Sequence, residues 1–281
     1  MQDSALRVPL TPEDLAVYRS DGVVCLRSRF DPGWIDQLRE AIERCIAAPG
    51  PHAVIGNRAE PGFFFGDQDM WWRDETFRRF LFQSPAAEIA AQVMQSRRVN
   101  FFFDQVIIKE PGTVQRTPWH QDLPYWAVKG SQICAIWLAL DPVAAADSVE
   151  YVLGSHRWGT EFSPRHFADG SLYADTGLPP LPDIDAHRSK FQIRNWDLEP
   201  GDCLVFHALL VHGAPGNSSL AHRRRAVSTR WCGDDARYFK RRGEVAVPSK
   251  DPGLEDGAAL TCALFPQVWP REDAVTFEHL R

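Results

Sequence analysis

The chain has 281 residues, 44% of them hydrophobic and 24% charged, so it can bury a sizeable core as one large domain or two small ones. Its formal net charge of −6 leaves no basic surplus to neutralise phosphates, which argues against nucleic acid and membrane as partners. Neither a signal-peptide pattern nor an apolar run of ~18 residues occurs, so a cytoplasmic location is predicted.

The first hundred residues favour helices. Thr11 is followed by a proline and two acidic residues, the pattern of a helix N-terminus, and this helix is predicted to end near Ser20. A short strand is predicted at 23–26. Apolar residues then recur at helical spacing before Pro49, and a further helix is predicted over 85–96.

From residue 98 onward, short apolar or alternating segments are separated by turn-forming residues. Candidate strands are 99–109, 132–140, 150–153, 202–206, 210–213 and 224–232. Several short strands of this kind predict an all-β sandwich or barrel rather than a wound parallel sheet. Residues 157–195 are proline-rich and weakly periodic, and a loop of that length suggests a lid over a functional site.

A possible metal site begins in the segment "TPWHQDLPYW" at 117–126. If 119–122 is extended, His120 and Asp122 point to the same face, because side chains two apart on a strand do so. A third ligand must come from elsewhere, and "GDCLVFHALLVHGAPGN" offers His207 and His212. His212 is the better candidate, since Gly213 and Asn217 let the chain turn sharply after it.

Two histidines and one carboxylate form the facial triad of non-haem iron oxygenases, which leaves three coordination positions open. Two of these can chelate a 2-oxo acid and the third can accept dioxygen. A dicarboxylate co-substrate also needs a cation for its distal carboxylate, for which the planar fork of arginine is suited. The segment "HRRRAVSTRW" offers such arginines on the next predicted strand.

The motifs "DGVVCL", "WHQD", "EYVLGSH", "GDCLVFHALLVHGAPGNSS" and "RRRAVSTRW" together resemble the phytanoyl-CoA dioxygenase family of Fe(II)- and 2-oxoglutarate-dependent oxygenases. The resemblance covers roughly residues 10 to 240. The first motif alone is weakly specific, but the ordered combination is strong. The implied fold is mainly β with flanking helices, around a double-stranded β-helix (jelly-roll, cupin-like) core.

The resemblance implies Fe(II), 2-oxoglutarate and O2 as cofactor and co-substrates, with the metal held by His120, Asp122 and His212. Its arginine anchor for 2-oxoglutarate matches Arg224 by strand register or Arg223 by counting forward from His212. Two further positions match residues that line the co-substrate pocket, Gln105 and Trp137. Ala214 departs from the family pattern, because a hydroxyl often contacts the co-substrate at that position.

The implied reaction is hydroxylation of a small organic molecule at an unactivated C–H, with release of succinate and CO2. Halogenating members replace the metal carboxylate by a small residue, whereas Asp122 is present here. A catalytically silent cupin-like binding protein of the same fold is the alternative, and a redox-inactive metal hydrolase is a third possibility.

One oxygenase domain over 1–281 is predicted, with a mainly helical cover at 1–97, the jelly-roll core at 98–240 and a C-terminal extension at 241–281. Aromatic side chains suggest the wall of a substrate pocket. The candidates are Phe65, Trp71, Tyr125 and Trp126.

Overall fold

The computed structural model describes residues 9–56, 62–167 and 170–271. The described residues include the whole 98–240 segment except 168–169, and the last ten residues of the predicted C-terminal extension lie outside them. Within these ranges, no helix is long and apolar enough to cross a membrane.

The helices lie in the N-terminal third, as the sequence predicts. They are α1 Pro12–Asp21, α2 Pro32–Ala47, α3 Glu75–Gln83 and α4 Ala86–Met94. Thr11 caps α1 by accepting from the Asp14 backbone while the Asp14 side chain accepts from Thr11, so the predicted start is confirmed. Helix α3 was not predicted, although Asp74 caps it and it buries Phe77, Phe80 and Leu81.

The strands occupy most of the remaining chain. They are β1 Val23–Leu26, β2 Val54–Ile55, β3 Phe64–Gln68, β4 Val99–Lys109, β5 Thr117–His120, β6 Val128–Lys129, β7 Ile133–Ala139, β8 Glu150–Val152, β9 Ile193–Arg194, β10 Cys203–His207, β11 His212–Ala214, β12 Arg224–Cys232, β13 Arg237–Tyr238 and β14 Gln267–Trp269. The predicted bounds of β1, β4 and β12 are those observed.

Two antiparallel sheets make the core. The larger has eight strands in the order β1-β10-β7-β12-β4-β3-β2, with β14 also paired to β4. The smaller has the order β5-β11-β8-β9. Buried side chains of both sheets meet in one cluster, where the Tyr151 ring of β8 lies 5.2 Å from the Phe206 ring of β10. The predicted mainly β, jelly-roll fold with flanking helices is confirmed.

The two faces of the large sheet have different partners. Alternate residues of β4 and β12 face the helices and pack with them in the largest hydrophobic cluster, for example Val106, Val227 and Trp231. The other residues of the same strands face the small sheet and line a cavity, among them Gln105 and Ser228. Strand alternation therefore places the core on one side of the sheet and the candidate site on the other.

The segments before and after the predicted core also contribute strands. β2 and β3 precede residue 98 and extend the large sheet beyond β4, and β14 follows residue 241 and pairs with β4. The N-terminal segment is thus a helical cover with strands added, and part of the C-terminal extension is built into the large sheet.

Candidate active site

His120 and His212 are brought together by the small sheet. His120 is the last residue of β5 and His212 the first of β11, and the two are directly paired in the antiparallel ladder. Their ring centres lie 4.2 Å apart. The third side chain belongs to Asp122, which was predicted to lie on an extended strand. This prediction is wrong. Its backbone is helical, with φ −72° and ψ −45°, and it begins a single 3-10 turn, so a turn rather than strand alternation brings its carboxylate to the histidines.

The three side chains offer a compact set of ligand atoms. Asp122 Oδ1 lies 3.5 Å from His120 Nε2 and 3.8 Å from His212 Nε2. One ligand atom from each residue falls within 4.8 Å of the others. The Nδ1 atoms of His120 and His212 lie 2.8 and 2.9 Å from the Pro118 and Leu210 carbonyls. Since a carbonyl only accepts, each Nδ1 carries the proton and each Nε2 keeps a lone pair for a metal.

The charge states also fit a cation. Burial alone would raise the pKa of Asp122, but the contact with His120 and the charge of Arg230 lower this pKa to about 2. Burial and the neighbouring His120 lower the pKa of His212 to about 3. At neutral pH the cluster therefore presents an ionised carboxylate and a neutral imidazole, the forms that bind metals. Asp122 Oδ2 is buried and has no hydrogen-bond partner in the described structure.

The triad opens into a cavity of about 430 Å³ that several of the predicted residues line. Gln105, Trp137 and Arg224 all do so. Arg224 is 3% exposed, and its Nη1 donates to the Asp147 carbonyl and, at 3.4 Å, to that of Gly216. Arg223 points away from the cavity and pairs with Glu43 at 2.6 Å and Glu110 at 2.7 Å. Of the two candidate anchors, only Arg224 is placed to meet a ligand.

Two basic side chains in the cavity wall received no role from the sequence. Lys109 lies directly opposite Arg224 in the β4–β12 pairing, and its side chain is fully buried. Burial, Arg224 and Arg116 together lower the pKa of Lys109 to about 6. Arg230, 5% exposed, lies further along β12 with its Nε 3.8 Å from Asp122 Oδ2. Strand alternation could have identified both residues. Lys109 shares a face of β4 with the predicted Gln105, and Arg230 shares a face of β12 with the predicted Arg224.

The aromatic candidates divide into two groups. Tyr125 and Trp126 line the cavity. Phe65 and Trp71 do not, because both are buried in the hydrophobic cluster beneath the helices, at 0% and 1% exposure. Other aromatic residues of the wall were not predicted, among them Phe103, Tyr151, Phe167 and Tyr173.

The remaining candidate ligand, His207, is not part of the triad. Its Nε2 lies 2.9 Å from the Ser131 carbonyl, and its Nδ1 accepts from the Leu209 backbone at 3.0 Å. Burial and the neighbouring His156 lower its pKa to about 4. His207 thus has partners at both ring nitrogens, away from the cavity.

The long 157–195 segment contributes to the cavity wall. Arg165, His166, Phe167 and Tyr173 line it from this side. The Tyr125 hydroxyl donates to the Arg165 carbonyl at 2.9 Å and accepts from the Arg165 backbone at 2.8 Å. Gln121, whose side chain points away from the triad, holds the same segment through the Thr160 carbonyl and the Phe162 backbone.

Two histidines and one carboxylate, placed beside the small sheet of a jelly-roll core, form a candidate metal site of the facial-triad type. Residues 18–226 match the family model of phytanoyl-CoA dioxygenase (PhyH). The chain therefore belongs to the phytanoyl-CoA dioxygenase family.

Individual relatives agree with this assignment. The "Probable phytanoyl-CoA dioxygenase" of Caenorhabditis elegans is 28% identical over 131 residues, which are 46% of this chain and 40% of that protein. The match to the peroxisomal phytanoyl-CoA dioxygenase of Homo sapiens also covers only 40% of the relative's length.

Solved structures share the fold. The α-ketoglutarate-dependent carbocyclase SnoK from nogalamycin biosynthesis has a TM-score of 0.72 and 20% identity, covering 92% of this chain and 96% of SnoK. The epimerase SnoN, in complex with Fe3+, α-ketoglutarate and nogalamycin RO, has a TM-score of 0.68 and 23% identity, covering 91% and 97%.

Proposed function

We propose that the protein is an Fe(II)- and 2-oxoglutarate-dependent dioxygenase that hydroxylates a small organic molecule at an unactivated C–H and releases succinate and CO2. The observation that carries the proposal is the convergence of His120, Asp122 and His212 in a cavity that also contains the buried Arg224. Two neutral nitrogens, one carboxylate oxygen and open space beside them are what a non-haem iron site requires.

Each residue has a distinct role in this proposal. His120, Asp122 and His212 hold the iron, which when bound supplies activation of O2 with 2-oxoglutarate. Arg224 receives the distal carboxylate of 2-oxoglutarate with charge-assisted hydrogen bonds, while Gln105 and Trp137 border it. The aromatic wall and the 157–195 segment orient the substrate and exclude water from the reacting groups.

The proposed outcome of the reaction is hydroxylation. SnoK is a carbocyclase and SnoN an epimerase, so related folds support other oxidations than hydroxylation. Hydroxylation is proposed here because Asp122 retains the carboxylate that halogenating members lack. A single domain over 1–281, located in the cytoplasm and with a small molecule as its partner, completes the proposal.

The ligand assignment is tested by anaerobic addition of Fe(II) and 2-oxoglutarate, which should produce a charge-transfer absorbance band. The band should vanish in His120→Ala, Asp122→Ala and His212→Ala, because each variant removes one metal ligand. His207→Ala is the matched control and should retain the band, since His207 lies outside the triad. A band that persists in the triad variants would refute the ligand set.

A substrate screen for stimulated succinate release tests the activity. Release that depends on both 2-oxoglutarate and Fe(II) separates the oxygenase from a silent binding protein and from a metal hydrolase. The silent binding protein would be favoured by a different result. The protein would bind Fe(II) and 2-oxoglutarate but release no succinate, either with any compound of a broad screen or without added substrate.

A further inference from the structure

Arg230 is buried in the cavity wall in an environment that fixes its orientation. Its Nη1 donates to the Ser228 carbonyl at 2.9 Å and its Nη2 to Gln105 Oε1 at 3.1 Å. Its Cζ lies 4.5 Å from the centre of the Phe103 ring, a cation–π contact. A guanidinium is almost never this buried unless it is paired, so the N–H of its third nitrogen, Nε, requires an explanation.

That donor faces an equally unpartnered acceptor. Within the described residues, neither Arg230 Nε nor Asp122 Oδ2 has a hydrogen-bond partner, although both atoms are buried. They lie 3.8 Å apart. An unsatisfied buried polar group is destabilising, so a small movement that closes this gap is favourable.

The two oxygens of Asp122 therefore have different neighbours. Oδ1 lies beside the Nε2 atoms of His120 and His212, whereas Oδ2 faces Arg230. We propose that Arg230 is a positioning residue that keeps Asp122 a one-oxygen metal ligand and orients Gln105 beside the co-substrate. This inference rests on the proposed function, because it concerns how the same site receives 2-oxoglutarate.

The consequence concerns the open coordination positions. A carboxylate that binds through both oxygens occupies one of the three positions that the triad leaves open. By engaging Oδ2, Arg230 would leave Asp122 to hold a metal through Oδ1 alone, so that the open positions would remain for the 2-oxo acid and dioxygen. The positive charge of Arg230 would oppose metal binding, whereas its position would favour the co-substrate.

Removal of the Arg230 side chain should thus affect metal binding and 2-oxoglutarate binding differently. This difference distinguishes a residue that positions Asp122 and Gln105 from one that only stabilises the fold. In Arg230→Met, the Kd of Co(II) should be no more than about twofold higher than that of the wild type, because all three ligands remain. The Kd of 2-oxoglutarate for the Co(II)-loaded protein should rise at least about tenfold, because the second oxygen of Asp122 could then compete for a position that the 2-oxo acid needs. Arg230→Lys, which keeps the charge, should recover part of the 2-oxoglutarate affinity.

Both constants can be measured without turnover. Co(II) binding is followed by absorbance, and 2-oxoglutarate binding to the Co(II)-loaded full-length protein by calorimetry. Arg225→Met is the matched control, because Arg225 lies on the same strand but pairs with Asp141 at 2.7 Å outside the cavity. Arg225→Met should leave the Kd of Co(II) and the Kd of 2-oxoglutarate within about twofold of the wild-type values. Thermal unfolding measurements check that every variant is folded.

Three results would overturn the inference. They are an unchanged 2-oxoglutarate affinity in Arg230→Met, a parallel weakening of Co(II) and 2-oxoglutarate binding, and an Arg225→Met variant with the same losses as Arg230→Met. Failure of the wild type to bind Co(II) and 2-oxoglutarate would instead contradict the proposed function itself, so the two failures are distinguishable.

Discussion

At the scale of single residues, the cavity wall holds two basic side chains next to each other. Lys109 and Arg224 are directly opposite each other on β4 and β12, where like charges repel, and burial and this repulsion lower the pKa of Lys109 to about 6. Lys109 Nζ donates to the Gln115 and Pro215 carbonyls at 2.8 and 2.6 Å, and in the described structure neither side chain forms an ion pair with a carboxylate. An anion at this position, such as the distal carboxylate of 2-oxoglutarate, would favour the protonated form of Lys109 and bind to both side chains.

Lys109→Met should weaken 2-oxoglutarate binding to the Co(II)-loaded protein by about tenfold, since a hydrogen bond to a charged group contributes about 1.5–3 kcal/mol. Pyruvate, a 2-oxo acid without the distal carboxylate, should bind Lys109→Met and the wild type within about twofold of each other. Calorimetry with both acids measures this selectivity, and the exposed Lys240 provides a control variant, Lys240→Met. Equal losses for both acids would mean that Lys109 only supports the structure.

The sequence located the triad residues but not all the reasons for their placement. His212 lies on a strand that was predicted at 210–213, whereas His120 ends β5, which was not among the candidate strands. Asp122 reaches them through a 3-10 turn, which the assumption of an extended 119–122 segment could not anticipate. Arg230 and Lys109 were not assigned because burial of a cation depends on partners such as Gln105 and Pro215 that are distant in the chain.

At the scale of elements, the 157–195 segment is held to the site by specific hydrogen bonds as well as by the short strand β9 near its end. The Tyr125 hydroxyl bonds to both backbone groups of Arg165, and the ring of Phe167 lies 4.9 Å from that of His120. Tyr125 follows Asp122 by three residues. The position of the segment is therefore linked directly to the turn that carries the metal carboxylate.

Tyr125→Phe should loosen the segment without disturbing the sheets. The variant loses both hydrogen bonds of the hydroxyl, each with a net worth of about 0.5–1.5 kcal/mol, so amide hydrogen exchange around Arg165 should become faster by roughly fivefold to 150-fold. Exchange in β4 and β12 serves as the internal reference. Tyr18→Phe is the matched control, because the buried Tyr18 hydroxyl has no partner among the residues described. Unchanged exchange at Arg165 in Tyr125→Phe would show that the hydroxyl does not hold the segment.

Long alternating strands were predictable from the sequence and short ones were not. β4 and β12 have 11 and 9 residues with clear alternation, so their limits could be read from the chain. β14 has only three residues, between Pro266 and Pro270, and its position is decided by pairing with the distant β4. The aromatic residues of β3 resembled a pocket wall, yet Phe65 packs into the core while its neighbour Phe64 faces the cavity.

At the scale of the whole molecule, the N-terminal and C-terminal segments share one sheet with the site. β1, β3 and β14 all belong to the large sheet that carries β4 and β12. Val247, in the predicted C-terminal extension, lines the cavity and its carbonyl accepts from the Ala127 backbone at 2.8 Å. One cooperative unit is therefore expected, with the extension as part of it.

Phe265→Ala tests this expectation, because Phe265 belongs to the extension yet is 1% exposed and its ring stacks on Phe102 of β4 at 4.8 Å. Truncation of a buried phenylalanine costs about 3–5 kcal/mol, so the free energy of unfolding should fall by that amount in denaturant titrations. Circular dichroism and tryptophan fluorescence should still report one coincident transition. Leu220→Ala, at an 87% exposed site, should change the free energy by less than about 0.5 kcal/mol. An unchanged midpoint in Phe265→Ala, or two separate transitions in the wild type, would mean that the extension folds independently of the sheet that carries the site.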